Sequence, residues 1–228
     1  MYKKEVYVFD QRFPKKLTIR SYNEKDFDQL IDVQKQCFPP PFPSELWWNK
    51  DQLKNHITLF PMGALCAVVD SRIVGSMTTL IVPFSPHEPK HTWEEITDNG
   101  YITTHTSDGN TLYVVDICVS PDYRKLKIGK WLMQSMYEVV THLNLDRLIG
   151  GGRIPNYYRF QKELTPENYV NEVLKGNLKD PVMSFLLSCG RTPLCLVENY
   201  LEDKESCNYG VLMEWKNPFK NFNHEADY

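Results

Sequence analysis

Apolar residues recur along the chain with two different periods, and polar turns separate the segments. Alternate apolar positions predict strands, and apolar positions three or four residues apart predict helices. The pattern therefore favours an α/β fold. Strands are predicted at residues 17–20, 64–69, 73–82, 115–119, 147–150, 194–200 and 209–215. Helices are predicted from Asn23 to Pro39, from Ser44 to Pro61, from the segment after Arg124 to Leu143, at residues 166–176 and from Asp180 to Gly190.

Two segments do not follow either period well. Residues 1–16 alternate only weakly and predict a short extra strand or an arm ahead of the domain. Residues 83–110 are polar and contain several turn signals, so we expect a long excursion between two strands. A loop of that length is usually functional or disordered, and Trp93, Ile96 and Tyr101 predict that this one packs against the domain and walls a substrate site.

The most informative stretch is a strand that ends at Val119, a basic turn and the start of a helix. The turn and helix start contain the residues Arg124, Lys125, Leu126, Lys127, Ile128, Gly129 and Lys130. The first turn of a helix leaves backbone N–H groups without partners, and its dipole adds positive potential there. This segment therefore predicts a phosphate site, with an ordinary strand-to-helix connection as the alternative. Gly150, Gly151 and Gly152 follow in the next strand and predict either a bend or the close approach of a ligand or another backbone.

Composition and charge narrow the class of protein. The chain has 228 residues, 42% hydrophobic and 24% charged residues, and a net charge of −3, which fit one globular domain. The slightly acidic balance predicts no nucleic-acid partner and no anionic membrane surface. We find no signal-peptide pattern and no apolar run near the ~20 residues of a membrane span, so we expect a cytoplasmic protein.

The cysteine and histidine pattern predicts free thiols and no metal site. The six cysteines contain no C-x-x-C pair. His87 and His91 have the spacing of zinc ligands on a helix, but Pro86 and Pro89 interrupt any helix there.

The segment Asp122-Tyr123-Arg124-x-x-x-Ile128-Gly129-x-x-Leu132 resembles the acyl-CoA pyrophosphate loop of the GNAT family of N-acetyltransferases. That family's pattern is Arg or Gln, two residues, Gly, one residue, then Gly or Ala. Arg124 and Gly129 match, but Lys127 replaces the first glycine. Because positive φ costs a non-glycine residue roughly 1 to 2 kcal/mol, we expect a slightly reshaped loop or ordinary dihedral angles at Lys127.

Further motifs resemble the acetyltransferase domain that is often fused to a carbon–nitrogen hydrolase, and they indicate a stand-alone version of it. These are His91-Thr92-Trp93-x-Glu95-Ile96-Thr97, Leu112-Tyr113-x-x-Asp116, Gly151-Gly152-Arg153-Ile154-Pro155-x-Tyr157, Asp180-Pro181-Val182 and Tyr209-Gly210. The resemblance covers residues 17–217, leaving residues 1–16 as the arm or extra strand and residues 218–228 as a tail. It implies a mixed, mostly antiparallel, splayed central sheet flanked by helices.

The resemblance also implies a reaction, the transfer of acetyl from acetyl-CoA to a primary amine without a metal. Pantetheine would pair with Ile117, Cys118 and Val119, the pyrophosphate would bind at residues 124–130, and Asn156 would bond the pantetheine amides. Asp116 is the first candidate base, with a structural aspartate as its alternative, and Glu95 and His105 are weaker candidates. The family's usual acid, a tyrosine, is replaced by Leu186, so Tyr157 and Tyr158 become substitutes unless they are packing residues.

Several alternatives remain open at this point. The chain could be a non-catalytic acyl-CoA-binding or protein-interaction module that keeps the fold, and Lys127 and Leu186 favour that alternative. A covalent acyl-enzyme on Cys118 is disfavoured, because its alternate neighbours are apolar and predict a buried packing thiol. The amine acceptor would lie against residues 83–110 and 160–179, and the sequence leaves its identity and a homodimer open.

Overall fold

The computed structural model describes residues 1–220, in which one eight-stranded sheet carries six helices. In sheet order the strands are β1 (Lys3–Asp10), β2 (Phe13–Ser21), β3 (Ala64–Val69), β4 (Arg72–Val82), β5 (Thr111–Val119), β6 (Arg147–Arg153), β8 (Gly210–Lys216) and β7 (Thr192–Val197). The helices are α1 (Phe27–Cys37), α2 (Lys50–Leu59), α3 (Trp93–Thr97), α4 (Ile128–His142), α5 (Pro166–Leu174) and α6 (Pro181–Ser188).

Every neighbouring pair of strands is antiparallel except β5 and β6. These two are parallel because α4 connects them, as the strand–helix–strand pattern predicted. The mixed, mostly antiparallel sheet flanked by helices is confirmed.

The parallel strands β5 and β6 separate after a short paired segment. They pair only from Thr111 with Arg147 to Tyr113 with Ile149, and β6 then continues along β8. Just past the last pair, the register of β5 against β4 shifts between Thr78 and Thr79. A bulge of this kind bends a strand, so β5 turns away from β6 and a cleft opens between them.

The N-terminal residues form an edge hairpin. β1 pairs with β2 along its whole length, and the expected domain boundary at residue 17 lies inside β2. Residues 221–228 of the expected C-terminal tail lie outside the described residues.

Capping side chains set most helix starts. Asn23 caps the turn that leads into α1, and Thr165 and Asp180 cap α5 and α6, each of which has proline at its first position. The prediction of one helix from Ser44 to Pro61 is wrong. Residues Ser44–Leu46 form an isolated 3₁₀ turn, and α2 begins at Lys50 because Asn49 accepts a hydrogen bond from the backbone N–H of Gln52.

The long excursion between β4 and β5 packs against the domain, as expected. It contains α3, which Thr92 and Glu95 cap reciprocally. Trp93 is buried and its indole N–H donates to the carbonyl of Val115 at 3.0 Å. The excursion therefore contacts β5 at its bulge, beside the cleft.

Candidate active site

The cleft between β5 and β6 forms a cavity with a volume of about 700 Å³. Its walls come from α1, the turn before α2, β5, the start of α4, β6, α6 and the loop between β7 and β8. The predicted site residues that line it are Asp116, Ile117, Cys118, Val119, Arg124, Lys127, Gly129, Lys130, Asn156 and Tyr158. The fold therefore brings most of the predicted donor-site residues to one place.

Asp116 lies half-buried on the wall of this cleft, and its Oδ2 atom is itself buried. Within residues 1–220, this Oδ2 atom has no hydrogen-bond partner. Burial raises the pKa of Asp116 to about 7, although nearby Cys118, the Ile117 backbone and Trp48 favour the charged form. A buried carboxyl with an unsatisfied oxygen and a pKa near neutral can accept a proton from a substrate.

The two weaker candidates for the base have structural roles instead. Glu95 accepts the backbone N–H of Thr92 and so caps α3. His105 accepts the backbone N–H of Ile81 and stacks on Phe60. Neither of them lines the cleft.

The backbone of the turn before α4 is left-handed at Lys127, the position of the family's first glycine. Lys127 has φ +57° and ψ +25°, so the expectation of ordinary dihedral angles is wrong. Ile128 and Gly129 are the first two residues of α4, and their N–H groups have no acceptor within the helix. The chain thus holds the left-handed conformation without glycine, and it keeps the helix N-terminus open toward the cleft.

Side chains around this turn divide into two groups. Leu126 and Ile128 are buried in the core, so only their backbone groups are available to a ligand in the cleft, and Lys125 is exposed and does not line the cleft. Arg124 and Lys130 reach the cleft while donating to the carbonyls of Val119 and Ser188. An ideal Cβ on Gly129 would lie 3.1 Å from the Phe185 ring, so a side chain there fits tightly.

Cys118 lies on the cleft wall but is not an activated nucleophile. Its thiol contacts the Ser76 hydroxyl at 3.3 Å and interacts with Cys37. The hydrogen bond with Cys37 and burial raise the pKa of Cys118 well above its usual value. Because the thiolate is the reactive form, this environment disfavours a covalent acyl-enzyme.

The two tyrosines predicted as substitute acids separate in the structure. Tyr157 is buried among Tyr169 and Tyr209, donates to the Leu164 carbonyl, and does not line the cleft, so its predicted catalytic role does not fit its position. Tyr158 points into the cleft but is 40% exposed at its mouth. Asn156 also lines the cleft, and its amide donates to the Lys179 carbonyl.

Sequence reasoning missed two buried side chains in the cleft. Tyr200, in the loop between β7 and β8, lies against Gly151, where an added Cβ would be only 2.0 Å from the ring. Arg191 is buried and donates to the carbonyls of Gly150 and Met213, which ties β6 to β8. The run of glycines in β6 was the available signal, since it indicated a close approach that proves to be Tyr200.

Comparison with known proteins identifies the class. A sequence model of the acetyltransferase (GNAT) family matches residues 27–156. The chain is 60% identical over 216 residues to the "Uncharacterized N-acetyltransferase YkwB" of Bacillus subtilis (strain 168), covering 95% of this chain and 96% of that protein. The chain belongs to the GNAT acetyltransferase family, and it is an acyltransferase.

Two further comparisons extend this result. The chain is 42% identical over 207 residues to "Probable hydrolase YhcX" of the same organism, covering 90% of this chain but 40% of that longer protein. Its fold is shared with the GphF GNAT-like decarboxylase in complex with isobutyryl-CoA, with a TM-score of 0.74, 22% identity and coverage of 87% of this chain and 98% of that one. Within residues 1–220, no helix is long and apolar enough to cross a bilayer.

Proposed function

We propose that this protein transfers the acetyl group of acetyl-CoA directly to a primary amine. The observation that carries the proposal is Asp116, a buried carboxyl with a pKa of about 7 and an unpaired oxygen, at the point where β5 and β6 separate. Family membership supports an acyl-CoA donor, and the acetyl group and the amine are the finer part of the proposal.

The geometry of the cleft supports one orientation of the donor. The pyrophosphate would bind at the N-terminus of α4, where Lys127, Arg124 and Lys130 add positive charge. The pantetheine arm would pair with the edge of β5 at Ile117 and Val119, which β6 leaves unpaired. This orientation directs the thioester toward Asp116.

Asp116 would act on the amine. An alkyl ammonium is mostly protonated at neutral pH and must lose a proton before its lone pair can attack the thioester carbon. The carboxylate of Asp116 accepts that proton, the C–N bond forms, and the C–S bond breaks with its electron pair passing to sulfur. A general base of this kind contributes about 10²- to 10⁴-fold to the rate.

A screen with a matched variant tests this function. Wild type and Asp116→Asn are incubated with acetyl-CoA and a panel of primary amines, and release of free thiol is followed together with the mass of the acetylated product. We expect turnover by wild type on at least one amine, and a loss of about 10²-fold or more in the variant. The dissociation constant for acetyl-CoA should stay similar in both proteins.

Two results would count against the proposal. Binding of acetyl-CoA without turnover on any amine would favour the non-catalytic module. Equal turnover by Asp116→Asn would assign the base to another group. Parallel assays with larger acyl-CoA donors test the acetyl preference.

A further inference from the structure

A buried chain of hydroxyl and imidazole groups connects the cleft to the outer side of the β4–β5 excursion. The Tyr200 hydroxyl lies 2.7 Å from the Tyr113 hydroxyl, which lies 2.9 Å from Nε2 of His91. Tyr200 and Tyr113 are almost completely buried, whereas His91 is half-buried. The three residues therefore form one continuous path for a proton.

The backbone holds the Tyr200 ring in place at the inner end of the cleft. Its N–H donates to the Asn208 carbonyl and its carbonyl accepts from Trp93, the first residue of α3. Glycine is required on both sides of the ring, because a Cβ on Gly151 or Gly210 would lie 2.0 or 2.5 Å from its atoms. This fit places the hydroxyl against β6, next to the position where β5 separates from it.

In the Nε2–H tautomer of His91, Nε2 donates to Tyr113, Tyr113 donates to Tyr200, and the proton of Tyr200 is free to point into the cleft. A tyrosine hydroxyl has one proton to donate and two lone pairs to accept with. The backbone N–H of Gly151 donates to Tyr200 at 3.2 Å, and the Tyr113 hydroxyl can donate to its second lone pair. Burial raises the pKa of Tyr200 to about 12, so the hydroxyl keeps its proton at neutral pH.

We propose that Tyr200 protonates the departing thiolate of CoA and that Tyr113 and His91 return the proton. This inference rests on the proposed function. When the C–S bond breaks, the electron pair goes to sulfur and the Tyr200 proton forms the S–H bond. The tyrosinate then takes a proton from Tyr113, Tyr113 takes one from Nε2 of His91, and Nδ1 of His91 takes one from solvent in the same step, so that the imidazole stays neutral and ends as its other tautomer. Tyr200 supplies the acid that Leu186 cannot provide, and Tyr113 and His91 are positioning residues.

The equilibrium test needs no amine acceptor. Dissociation constants are measured by calorimetry for CoA and for desulfo-CoA, which lacks the sulfur, in wild type and Tyr200→Phe. If the hydroxyl contacts sulfur, the substitution should weaken the binding of CoA about three- to tenfold and leave the binding of desulfo-CoA unchanged. Tyr209→Phe is the matched control, since that hydroxyl lies near Glu198 outside the cleft. It should change neither constant.

The outcomes separate this inference from the proposed function. The role of Tyr200 would be overturned if Tyr200→Phe weakened the binding of CoA and of desulfo-CoA equally. It would also be overturned if Tyr158→Phe, and not Tyr200→Phe, weakened the binding of CoA alone. Failure of wild type to bind either ligand would overturn the proposed function and this inference with it. Binding and turnover of acetyl-CoA without a sulfur-specific effect at Tyr200 would leave the function standing and reject the inference.

The relay is tested with His91→Ala once an acceptor is known. We expect turnover to fall by about tenfold or more, and free imidazole in the buffer to restore part of it. The difference between CoA and desulfo-CoA binding should persist, because Tyr200 is still present. Loss of turnover without rescue by imidazole would indicate that His91 only supports the fold.

Discussion

Asp116, the proposed base, shows at the scale of one residue how burial of a carboxyl group opposes stability. The carboxyl ionises with a pKa near 3.8 in the unfolded chain and near 7 in the folded protein, because burial disfavours the charge. Between these values the folded protein binds a proton that the unfolded chain does not. The free energy of unfolding is therefore highest at low pH, where Asp116 is protonated in both states. It falls as the pH rises from about 3.8 through about 7.

Asp116→Asn should consequently be more stable than wild type at alkaline pH. A pKa difference of about three units corresponds to about 4 kcal/mol at full ionisation, so we expect a gain of about 2 to 4 kcal/mol at pH 8. Near pH 4 the two proteins should unfold at similar denaturant concentrations. Urea unfolding at both pH values measures the difference in stability between the two proteins. Equal stability at pH 8 would mean that other groups compensate for the burial of the carboxylate.

Lys127 presents a second conflict at the residue scale, between backbone strain and charge. Its positive φ costs about 1 to 2 kcal/mol, which glycine would not incur. Glycine makes the unfolded chain more flexible, which lowers the free energy of unfolding by about 0.5 to 1 kcal/mol. Because the relief of strain is the larger effect, Lys127→Gly should raise stability by about 0.5 to 1 kcal/mol.

The same substitution should weaken the binding of acetyl-CoA, because it removes a positive charge. Lys127→Ala is the matched control, because it removes the charge but keeps the strain, and it should weaken binding without stabilising the protein. Thermal unfolding and calorimetry measure the two effects. An unchanged affinity in both variants would show that Lys127 does not face the phosphates.

At the scale of elements, local chemistry in the sequence determined what could be predicted. Caps such as Asn23 and Asp180 interact with residues close by in sequence, and the helices that follow them were predicted, as were the two strands on either side of the turn at Asp70 and Ser71. The start of α2 was missed because Ser44 also begins a helical turn, which ends three residues later.

Most residues of the proposed donor site were predictable from the sequence and the proposed acid, Tyr200, was not, for a related reason. The donor residues follow one another in β5 and at the start of α4. Tyr200 lies far from them in sequence, in a loop with no distinctive pattern, and only the sheet brings it to Gly151. Tyr157 lies away from the cleft because adjacent residues in the turn after β6 point in different directions, and only Tyr158 of the two lines it.

The glycines of β6 test the packing of this element. Gly151→Ala would place a methyl group 2.0 Å from Cζ of Tyr200, so the ring must move and we expect a loss of about 1 to 3 kcal/mol in stability. In Gly152→Ala the nearest atom is the Leu186 side-chain terminus at 2.7 Å, which can rotate away. Thermal unfolding should therefore show the larger loss for Gly151→Ala, and the reverse order would contradict the placement of Tyr200.

At the scale of the whole molecule, the cleft depends on segments that lie far apart in sequence. Arg153 at the end of β6 forms two 2.7 Å hydrogen bonds with Asp203 in the β7–β8 loop. These bonds hold the pKa of Asp203 below its usual value although burial opposes this. The pair joins the loop that carries Tyr200 to β6, while the β5 bulge directs Asp116 toward the same space.

The central claim is that acyl-CoA lies between β5 and β6 with its pyrophosphate on the N-terminus of α4. Isothermal titration of acetyl-CoA into wild type, Gly129→Ala and Gly129→Glu tests it most directly. Both variants add the Cβ that approaches Phe185, but only glutamate adds negative charge beside the phosphates. We predict measurable binding by wild type and Gly129→Ala, and a loss of at least about tenfold in Gly129→Glu. Equal affinity in Gly129→Ala and Gly129→Glu would place the phosphates elsewhere and contradict the account.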